Sequence, residues 1–179
     1  YITEAHTCDL TDSSSLVPFL SNAEALINVV TLGTGLGPSL VEAAQKAGVA
    51  RVVFTSTTGI FTTLNPSSKA IRLTAEKTIT ESTLDYTILR PTMIYGTPAD
   101  RNMWRLVSWI NDHRFAPVVG SGNRKQQPVH VDDLSWALVE AAESPNAARK
   151  AYSISGQTVH SLRDVIDTIC GHLQKKVIK

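Results

Sequence analysis

Cysteine is scarce in this sequence, with two residues, Cys8 and Cys170, in a chain of 179. Two cysteines so far apart make neither a disulfide framework nor a metal-ligand spacing, so we expect no metal site and a reduced, cytoplasmic setting. Long apolar runs are also lacking, since none approaches the roughly 20 residues that span a bilayer, and no signal peptide is visible. We therefore expect a cytoplasmic protein without a membrane partner.

An excess of charge of either sign is missing as well. Lysine and arginine number 17 against 16 aspartates and glutamates, which gives a formal net charge of +1. Such balance creates no strong field for nucleic acid, and we expect none as a partner. What the sequence does have is a hydrophobic fraction of 42%, which suits one globular domain with a substantial core.

Short β-branched runs alternate with amphipathic segments along most of the chain. The predicted strands are ALINVVTL, which should be buried, RVVFTS, LDYTILR, QPVHV and AYSIS. Helices are predicted between them, including SSSLVPFL, PSLVEAAQKAGV, PSSKAIRLTAEKTITES, DDLSWALVEAAES and SLRDVIDTICGHLQ. This alternation predicts an α/β fold, a doubly wound parallel sheet with right-handed crossovers. Ligands of such sheets bind beyond the carboxyl ends of the strands.

Local signals predict where the helices begin and end and which face is buried. In the long helix that follows RVVFTS, Ile71, Ala75 and Ile79 fall on one apolar face. The predicted caps are Asp12, Gly48, Asp132 or Asp133, and Ser161 with Asp164 three residues later.

The segment LGTGLG follows the strand ALINVVTL and precedes a helix, as a dinucleotide-binding turn does. A helix start attracts anions, and glycines let the backbone approach a phosphate. The full fingerprint is G-x-G-x-x-G, but here Gly37 comes one position early and Pro38 stands in the last glycine's place. A phosphate loop and a tight turn into a helix both remain open, and the local pattern favours the turn.

Five segments in a fixed order resemble one family of proteins. They are CDLTDSSSL, VARVVFTSTTGIF, TILRPTMIYG, a glycine loop with Arg124, and QPVHVDDLSWAL. Together they resemble the extended and atypical short-chain dehydrogenases/reductases, the NAD(P)-dependent epimerase/dehydratase superfamily. That superfamily includes sugar-nucleotide epimerases, NmrA-like proteins and relatives of a complex I accessory subunit. The resemblance runs from about residue 7 to about residue 170.

The resemblance implies a Rossmann-like sheet that is N-terminally truncated. In the family's order, CDLTD ends the third strand and LINVVTLGTG is the fourth, so the first two βα units and their glycine fingerprint would be lacking. It also implies a small C-terminal substrate-side lobe built from residues 97–131 and 151–179. Cofactor binding by this chain alone would then be weakened, and an exposed sheet edge at ALINVVTL would favour a homodimer.

The resemblance also implies roles for individual residues. The cofactor would be NADP or NAD. Its adenine would lie beside Asp9 and Leu10, and its ribose beside Gly33, Thr34 and Gly35. Its nicotinamide would lie beside Pro91, Thr92, Met93 and Ile94. The family places a catalytic hydroxyl at Ser56 or Thr57. Arg124 would meet the diphosphate of a sugar-nucleotide substrate. His130, by contrast, is expected to be a structural hydrogen-bonding group.

The family's proton relay, Tyr-x-x-x-Lys, is not evident in either possible register. If Lys69 is the catalytic lysine, Asn65 takes the tyrosine position, whereas a register set by Glu76 pairs Ser68 with Arg72. The resemblance therefore implies an NAD(P)-binding epimerase or atypical reductase that departs from the usual relay. Two alternatives are a non-catalytic NmrA-like dinucleotide sensor and a truncated, cofactor-free dimer.

Overall fold

The structure, a computed structural model, describes residues 4–100, 102–113, 115, 116, 118 and 120–176, which form two compact units. The first unit comprises the chain up to Pro91 together with Trp136–Ser153, and the second comprises Thr92–Ser135 and the chain from Ile154 onward. The residues of the predicted C-terminal lobe at 101, 114, 117, 119 and 177–179 lie outside the described part.

Helices and strands alternate along the chain, as the sequence predicts. In order they are α1 (Ser13–Leu20), β1 (Ala25–Asn28), α2 (Gly37–Ala47), β2 (Arg51–Thr55), α3 (Ser67–Glu81), β3 (Asp85–Pro91), β4 (Ile94–Tyr95), α4 (Met103–Asp112), β5 (Lys125–Gln126), β6 (Val129–His130), α5 (Val131–Glu143), β7 (Lys150–Ile154), β8 (His160–Ser161) and α6 (Leu162–Leu173). None of the described helices combines the length and the apolar composition that crossing a membrane requires.

The first unit contains a parallel sheet with the strand order β1-β2-β3-β7. Asn28 pairs with Phe54, and Phe54 pairs with Ile88, so β1, β2 and β3 end at the same edge of the sheet. The β2 side chains Val52 and Phe54 are fully buried in the core between sheet and helices. The predicted α/β fold, a Rossmann-like parallel sheet, is confirmed.

The predicted buried strand ALINVVTL is shorter and more exposed than expected. Regular pairing stops at Asn28, because its buried side chain accepts from the Val30 N–H at 3.2 Å and donates to the Val30 carbonyl at 2.9 Å. A 3-10 turn over Leu32–Thr34 follows. Since β1 lies at the end of the described strand order, Val29 is 69% exposed. The prediction of a buried strand was therefore wrong, because Asn28 is the one buried residue of β1, although Leu32 in the following turn is buried as well.

Most helix ends agree with the local signals. Asp12 caps α1 by accepting from the Ser14 N–H, Gly48 ends α2 with φ +70°, and Ser161 begins α6. In α3, Ala75 and Ile79 are buried, whereas Ile71, which lies on the same face one turn earlier, is 39% exposed. α5 begins at Val131, so Asp132 and Asp133 lie in its first turn, where the helix dipole favours carboxylates.

The second unit consists of two small sheets and two helices beside a separate core. β4 pairs with β6 in parallel, and β5 pairs with β8 in an antiparallel arrangement. The predicted strand QPVHV is reduced to Val129–His130. The core of this unit is formed by the fully buried Ile110 and Ile166 together with Ala116.

Candidate functional site

The turn after β1 is built from hydroxyls and glycines. Thr31 Oγ1 accepts from the Gly33 N–H at 3.2 Å, and Thr34 Oγ1 donates to the Thr31 carbonyl at 3.0 Å. Gly35 ends the turn with φ +86°, a left-handed conformation that favours glycine. The predicted ribose-side residues thus form one compact turn at the carboxyl edge of the sheet.

Arg72 of α3 lies directly against this turn. A Cβ atom on Gly33 would come within 2.8 Å of the Arg72 guanidinium carbon, so a side chain at this position would displace the flexible end of Arg72. One guanidinium nitrogen lies 3.4 Å from Thr31 Oγ1, which is a long hydrogen bond. Since a guanidinium carries five N–H donors, Arg72 retains donors for an anion or a hydroxyl placed beside the turn.

Gly37 has a different role from that of a phosphate-binding glycine. A Cβ atom there would lie 2.6 Å from the Ala75 Cβ, so the glycine allows α2 and α3 to pack closely. Ser39 in the first turn of α2 donates to the Leu10 carbonyl at 2.7 Å. These contacts support the tight-turn alternative for the segment LGTGLG, because the start of α2 is used for packing.

A buried ion pair fixes the rotation of α3 against β3. Arg90 at the end of β3 donates from Nε to both Glu76 carboxylate oxygens at 3.1 Å and from a terminal nitrogen to Oε2 at 2.6 Å. The Glu76 side chain is 7% exposed. Positions four apart lie on one face of a helix, so Ser68 and Arg72 share the face of Glu76. The contacts therefore favour the register that pairs Ser68 with Arg72.

The sequence reasoning used Glu76 to set a register but missed its partner Arg90. A buried-helix glutamate and an arginine at a strand end were the available signal, although nothing local joins positions 76 and 90. In the other register, Lys69 Nζ donates to the Thr62 carbonyl at 2.6 Å and so ties α3 to the preceding loop. The catalytic role of Lys69 stays a prediction.

Three consecutive hydroxyls follow β2 and have different surroundings. Thr57 Oγ1 accepts from the Gly59 N–H at 3.1 Å, and Thr58 Oγ1 donates to the Pro91 carbonyl at 3.2 Å. Ser56 donates its backbone N–H to the Leu89 carbonyl at 2.7 Å, but its Oγ atom is buried and has no hydrogen-bond partner within the described residues. An unpartnered buried hydroxyl is costly, but Thr55 Oγ1 at the end of β2 is unpartnered in the same way, so the catalytic role of Ser56 stays a prediction.

The predicted adenine-side residues form a turn of their own. Asp9 Oδ1 accepts from the Thr11 hydroxyl at 2.7 Å and from the Thr11 N–H at 2.8 Å. These two hydrogen bonds lower the pKa of Asp9 below its ordinary value, and the bond from the Thr11 hydroxyl has the larger effect. Leu10 packs at the margin of the first unit's core. Asp9 thus caps a turn, and its contact with adenine stays a prediction.

The predicted nicotinamide-side segment runs from Pro91, the last residue of β3, into the second unit, where its backbone is held by pairing. The Thr92 N–H donates to the Ile154 carbonyl at 2.9 Å, and the Met93 carbonyl accepts from the Val129 N–H at 3.0 Å. Ile94 pairs with Val129 in the β4–β6 ladder. Met93 also lines a cavity of about 300 Å³ together with Asn102, Met103, Arg105, Leu106 and Gln126. This segment is therefore well ordered by its neighbours and borders open space.

Arg124 and His130 complete the set of predicted residues. Arg124 is exposed, and its carbonyl accepts from the Leu162 N–H at 3.2 Å, which holds the loop while the guanidinium faces solvent. His130 Nδ1 accepts from the Asp132 N–H at 3.3 Å and packs edge-on against the Tyr95 ring at 5.1 Å. These contacts are those of a structural histidine.

The residues at the carboxyl edge of the first unit fit one side of a nicotinamide dinucleotide. The turn at Gly33 and Gly35 is slim, Arg72 offers donors beside it, and Ser56 presents an unpartnered buried hydroxyl. These groups suit a ribose and the ring attached to it. A glycine cradle for the pyrophosphate is not found among the described residues, since Gly37 is used for helix packing.

Comparisons with known proteins place the chain in a family. The sequence profile of the NAD(P)H-binding family matches residues 3–145. An uncharacterized protein of Sinorhizobium fredii, y4nG, is 24% identical over an alignment of 175 residues, and the match covers 88% of this chain and 43% of that protein. NADH dehydrogenase (ubiquinone) 1 alpha subcomplex subunit 9, mitochondrial, of Arabidopsis thaliana is 28% identical over an alignment of 130 residues, and the match covers 69% of this chain and 32% of that protein.

Solved structures agree with the fold. A Bacillus cereus UDP-glucuronic acid 4-epimerase, in complex with UDP-glucuronic acid and NAD, superposes with a TM-score of 0.82 at 16% identity. The match covers 96% of this chain and 66% of that chain. The chain belongs to the NAD(P)H-binding family. It spans less than half the length of the two curated relatives.

Proposed function

We propose that this chain binds NAD(P) at the carboxyl edge of the first unit's sheet and acts as an epimerase or reductase of the atypical short-chain type. The observation that carries the proposal is the approach of Arg72 to Gly33, which places a cationic donor at the turn after β1. The ion pair between Glu76 and Arg90 holds the helix that presents Arg72.

The site residues divide the work of binding. A guanidinium offers hydrogen-bond donors and no acceptor, so Arg72 donates hydrogen bonds to the cofactor ribose. Ser56 Oγ donates to a carbonyl or hydroxyl oxygen of the substrate. When bound, the nicotinamide cofactor supplies hydride transfer. We propose a nucleoside-diphosphate sugar as the substrate class, with Arg124 at its diphosphate, because the structural neighbour from Bacillus cereus binds UDP-glucuronic acid.

A second candidate function is dinucleotide sensing without chemistry. In the register that the contacts favour, Ser68 stands where the family has a tyrosine. Serine lacks the ionisable phenol of tyrosine, so it does not replace the tyrosine in proton transfer. A protein of this kind would bind the cofactor as tightly as an enzyme does and leave substrates unchanged.

Two measurements on the chain separate these functions. Calorimetric titration with NADPH and NADH tests binding, and UDP-glucose or UDP-glucuronic acid incubated with NAD tests epimerisation. Binding with turnover supports the enzyme, and binding without turnover of either substrate supports the sensor. Failure to bind either dinucleotide at millimolar concentration contradicts both and favours the cofactor-free dimer.

Self-association is a further part of the proposal. The edge strand β1 exposes Ile27 at 37%, and Val29 beyond it is exposed at 69%, and unpaired strand edges with apolar side chains attract partners. We propose a homodimer through this edge, and a monomeric light-scattering mass at high protein concentration would contradict it. The cytoplasmic location stays a prediction.

A further inference from the structure

The second unit contains a second cavity, which the proposed function does not use. It has a volume of about 220 Å³ and lies between the end of β4 and the first turns of α4. Its lining residues are Tyr95, Gly96, Thr97, Pro98, Asp100, Met103, Trp104 and Val107. Met103 also lines the cavity of about 300 Å³ beside Met93, so the two cavities share a wall.

The backbone turn at Gly96 shapes this cavity. Gly96 has φ +127°, and a Cβ atom there would come within 2.5 Å of His130 Nε2, so the chain passes directly over the histidine ring. The same ring packs edge-on against Tyr95, with the ring planes at 82°. The aromatic wall formed by Tyr95 is therefore held in one orientation.

Asp100, the one carboxylate among the described lining residues, is already hydrogen-bonded. Asp100 Oδ1 accepts from the N–H groups of Asn102 and Trp104, both at 2.9 Å, and so caps the start of α4. A carboxylate occupied in this way is a poor partner for a ligand cation. The remaining surface of the cavity is almost entirely apolar, which disfavours a charged ligand.

Trp104 gives the cavity an exposed aromatic side chain. It is 42% exposed, and no ring contact joins it to another aromatic residue among those described. Trp109 on the same helix differs, because it stacks on His113 at 3.9 Å and packs edge-on against Phe115. Trp104 therefore has a ring face available for a ligand.

We propose that this cavity binds an uncharged planar ring, of one or two fused six-membered rings, between Tyr95 and Trp104. An engineered apolar cavity of about 150 Å³ in another protein holds benzene, so this larger volume accommodates such a ring. Stacking or edge contacts with two aromatic side chains stabilise it, and the apolar lining excludes its charged analogues. The lining residues belong to the second unit and none of them forms the dinucleotide turn, so one proposal can fail while the other holds.

Fluorescence of Trp104 tests the proposal directly. The chain has three tryptophans, so the double variant Trp109→Phe, Trp136→Phe leaves Trp104 as the single emitter. Titration with benzyl alcohol should change its emission saturably, whereas benzoate, the anion with the same ring, should bind at least tenfold more weakly. Linear, unsaturable quenching, or equal binding of benzoate, would overturn the proposal.

A graded substitution series locates the ligand. In the same background, Val107→Ile should weaken benzyl alcohol binding several-fold, and Val107→Phe, which adds a whole ring to the cavity wall, should weaken it further. Val139→Phe adds the same ring at a position on α5 that is 49% exposed, and binding there should be unchanged. Unchanged binding in both Val107 variants would contradict the assignment. If the phenylalanine variant does not fold, the isoleucine variant alone still tests it.

Discussion

Two glycines, one in each unit, lie beneath an arginine of a nearby helix. A Cβ atom on Gly33 would meet the Arg72 guanidinium at 2.8 Å, and one on Gly122 would meet Arg163 Cγ at the same distance. The arginines differ in what they bind. The Arg163 side chain donates from Nε to the Ser121 carbonyl at 2.7 Å, and the Arg163 backbone N–H donates to the Gly122 carbonyl at 3.2 Å. The Arg72 side chain makes one long hydrogen bond, to a threonine hydroxyl.

This difference separates a structural clamp from a candidate binding group. In the second unit the guanidinium is used to hold a glycine loop, and the loop has little freedom left. In the first unit the guanidinium makes one long hydrogen bond to the turn among the described residues, and its other donors remain for a ligand. A close glycine–arginine contact therefore indicates function only when the arginine's donors are unused.

The largest expected effect comes from removing the support of Arg72. Glu76→Ala leaves Arg90 without its buried partner, and we expect a loss of about 3 kcal/mol in the free energy of unfolding. Glu81→Ala is the matched control, since its exposed pair with Lys77 at 3.7 Å should contribute less than about 1 kcal/mol. Urea denaturation measures both, and similar losses in the two variants would contradict the role of the buried pair.

Breaking the structural clamp should destabilise the protein without affecting cofactor binding. Gly122 has φ +72°, and an added methyl group would also meet Val118 Cγ1 at 2.8 Å, so Gly122→Ala should cost about 2 kcal/mol. Gly171→Ala in α6 meets nothing within 4 Å and should stabilise the protein by about 0.5–1 kcal/mol. Denaturation curves that move in the same direction for both would refute this comparison.

The corresponding change at the candidate site, Gly33→Ala, should weaken cofactor binding and leave stability nearly unchanged. In Gly33→Ala the added methyl group displaces the flexible end of Arg72, so stability should change by less than about 1 kcal/mol. NADPH affinity should fall several-fold, because the guanidinium leaves the turn. Calorimetry and denaturation on the same samples separate the two quantities, and a stability loss equal to that of Gly122→Ala would make Gly33 a structural glycine as well.

The smallest expected effect is at the capping box of α6, near the clamp. The Ser161 N–H donates to the Asp164 carboxylate at 2.7 Å, and this bond, with that to the Ser161 hydroxyl, lowers the pKa of Asp164. A lowered folded-state pKa stabilises the protein above the ordinary carboxyl pKa and ceases to do so as pH falls. Asp164→Ala should therefore lower Tm at pH 7, and the difference should close below about pH 4. A pH-independent difference would contradict this.

What the sequence could predict depended on how local the cause was. The Asp12 and Ser161 caps and the end of α2 at Gly48 follow from residues within one turn, and the structure confirms them. The exposure of Val29 follows from the place of β1 in the strand order, which no local pattern contains. The family resemblance gave the fold and the candidate segments.

The candidate site shows the same limit. The sequence alone leaves the register of the relay motif open, because Lys69 and Arg72 both suit the position of the family's lysine. The choice needs the pairing of Glu76 with Arg90 and the approach of Arg72 to Gly33, contacts that join positions 14 and 39 residues apart in the chain. Contacts between side chains so far apart in the sequence could not be predicted from local patterns, and the three-dimensional structure is needed to find them.

The NADPH affinities of Arg72→Ala and Lys69→Ala, measured by calorimetry beside the unchanged chain, test the central claim most directly. The account predicts saturable binding by the unchanged chain, a loss of about tenfold for Arg72→Ala, as expected when one charge-assisted hydrogen bond is removed, and less than twofold for Lys69→Ala. A larger loss for Lys69→Ala than for Arg72→Ala would contradict it, as would the absence of binding by the unchanged chain.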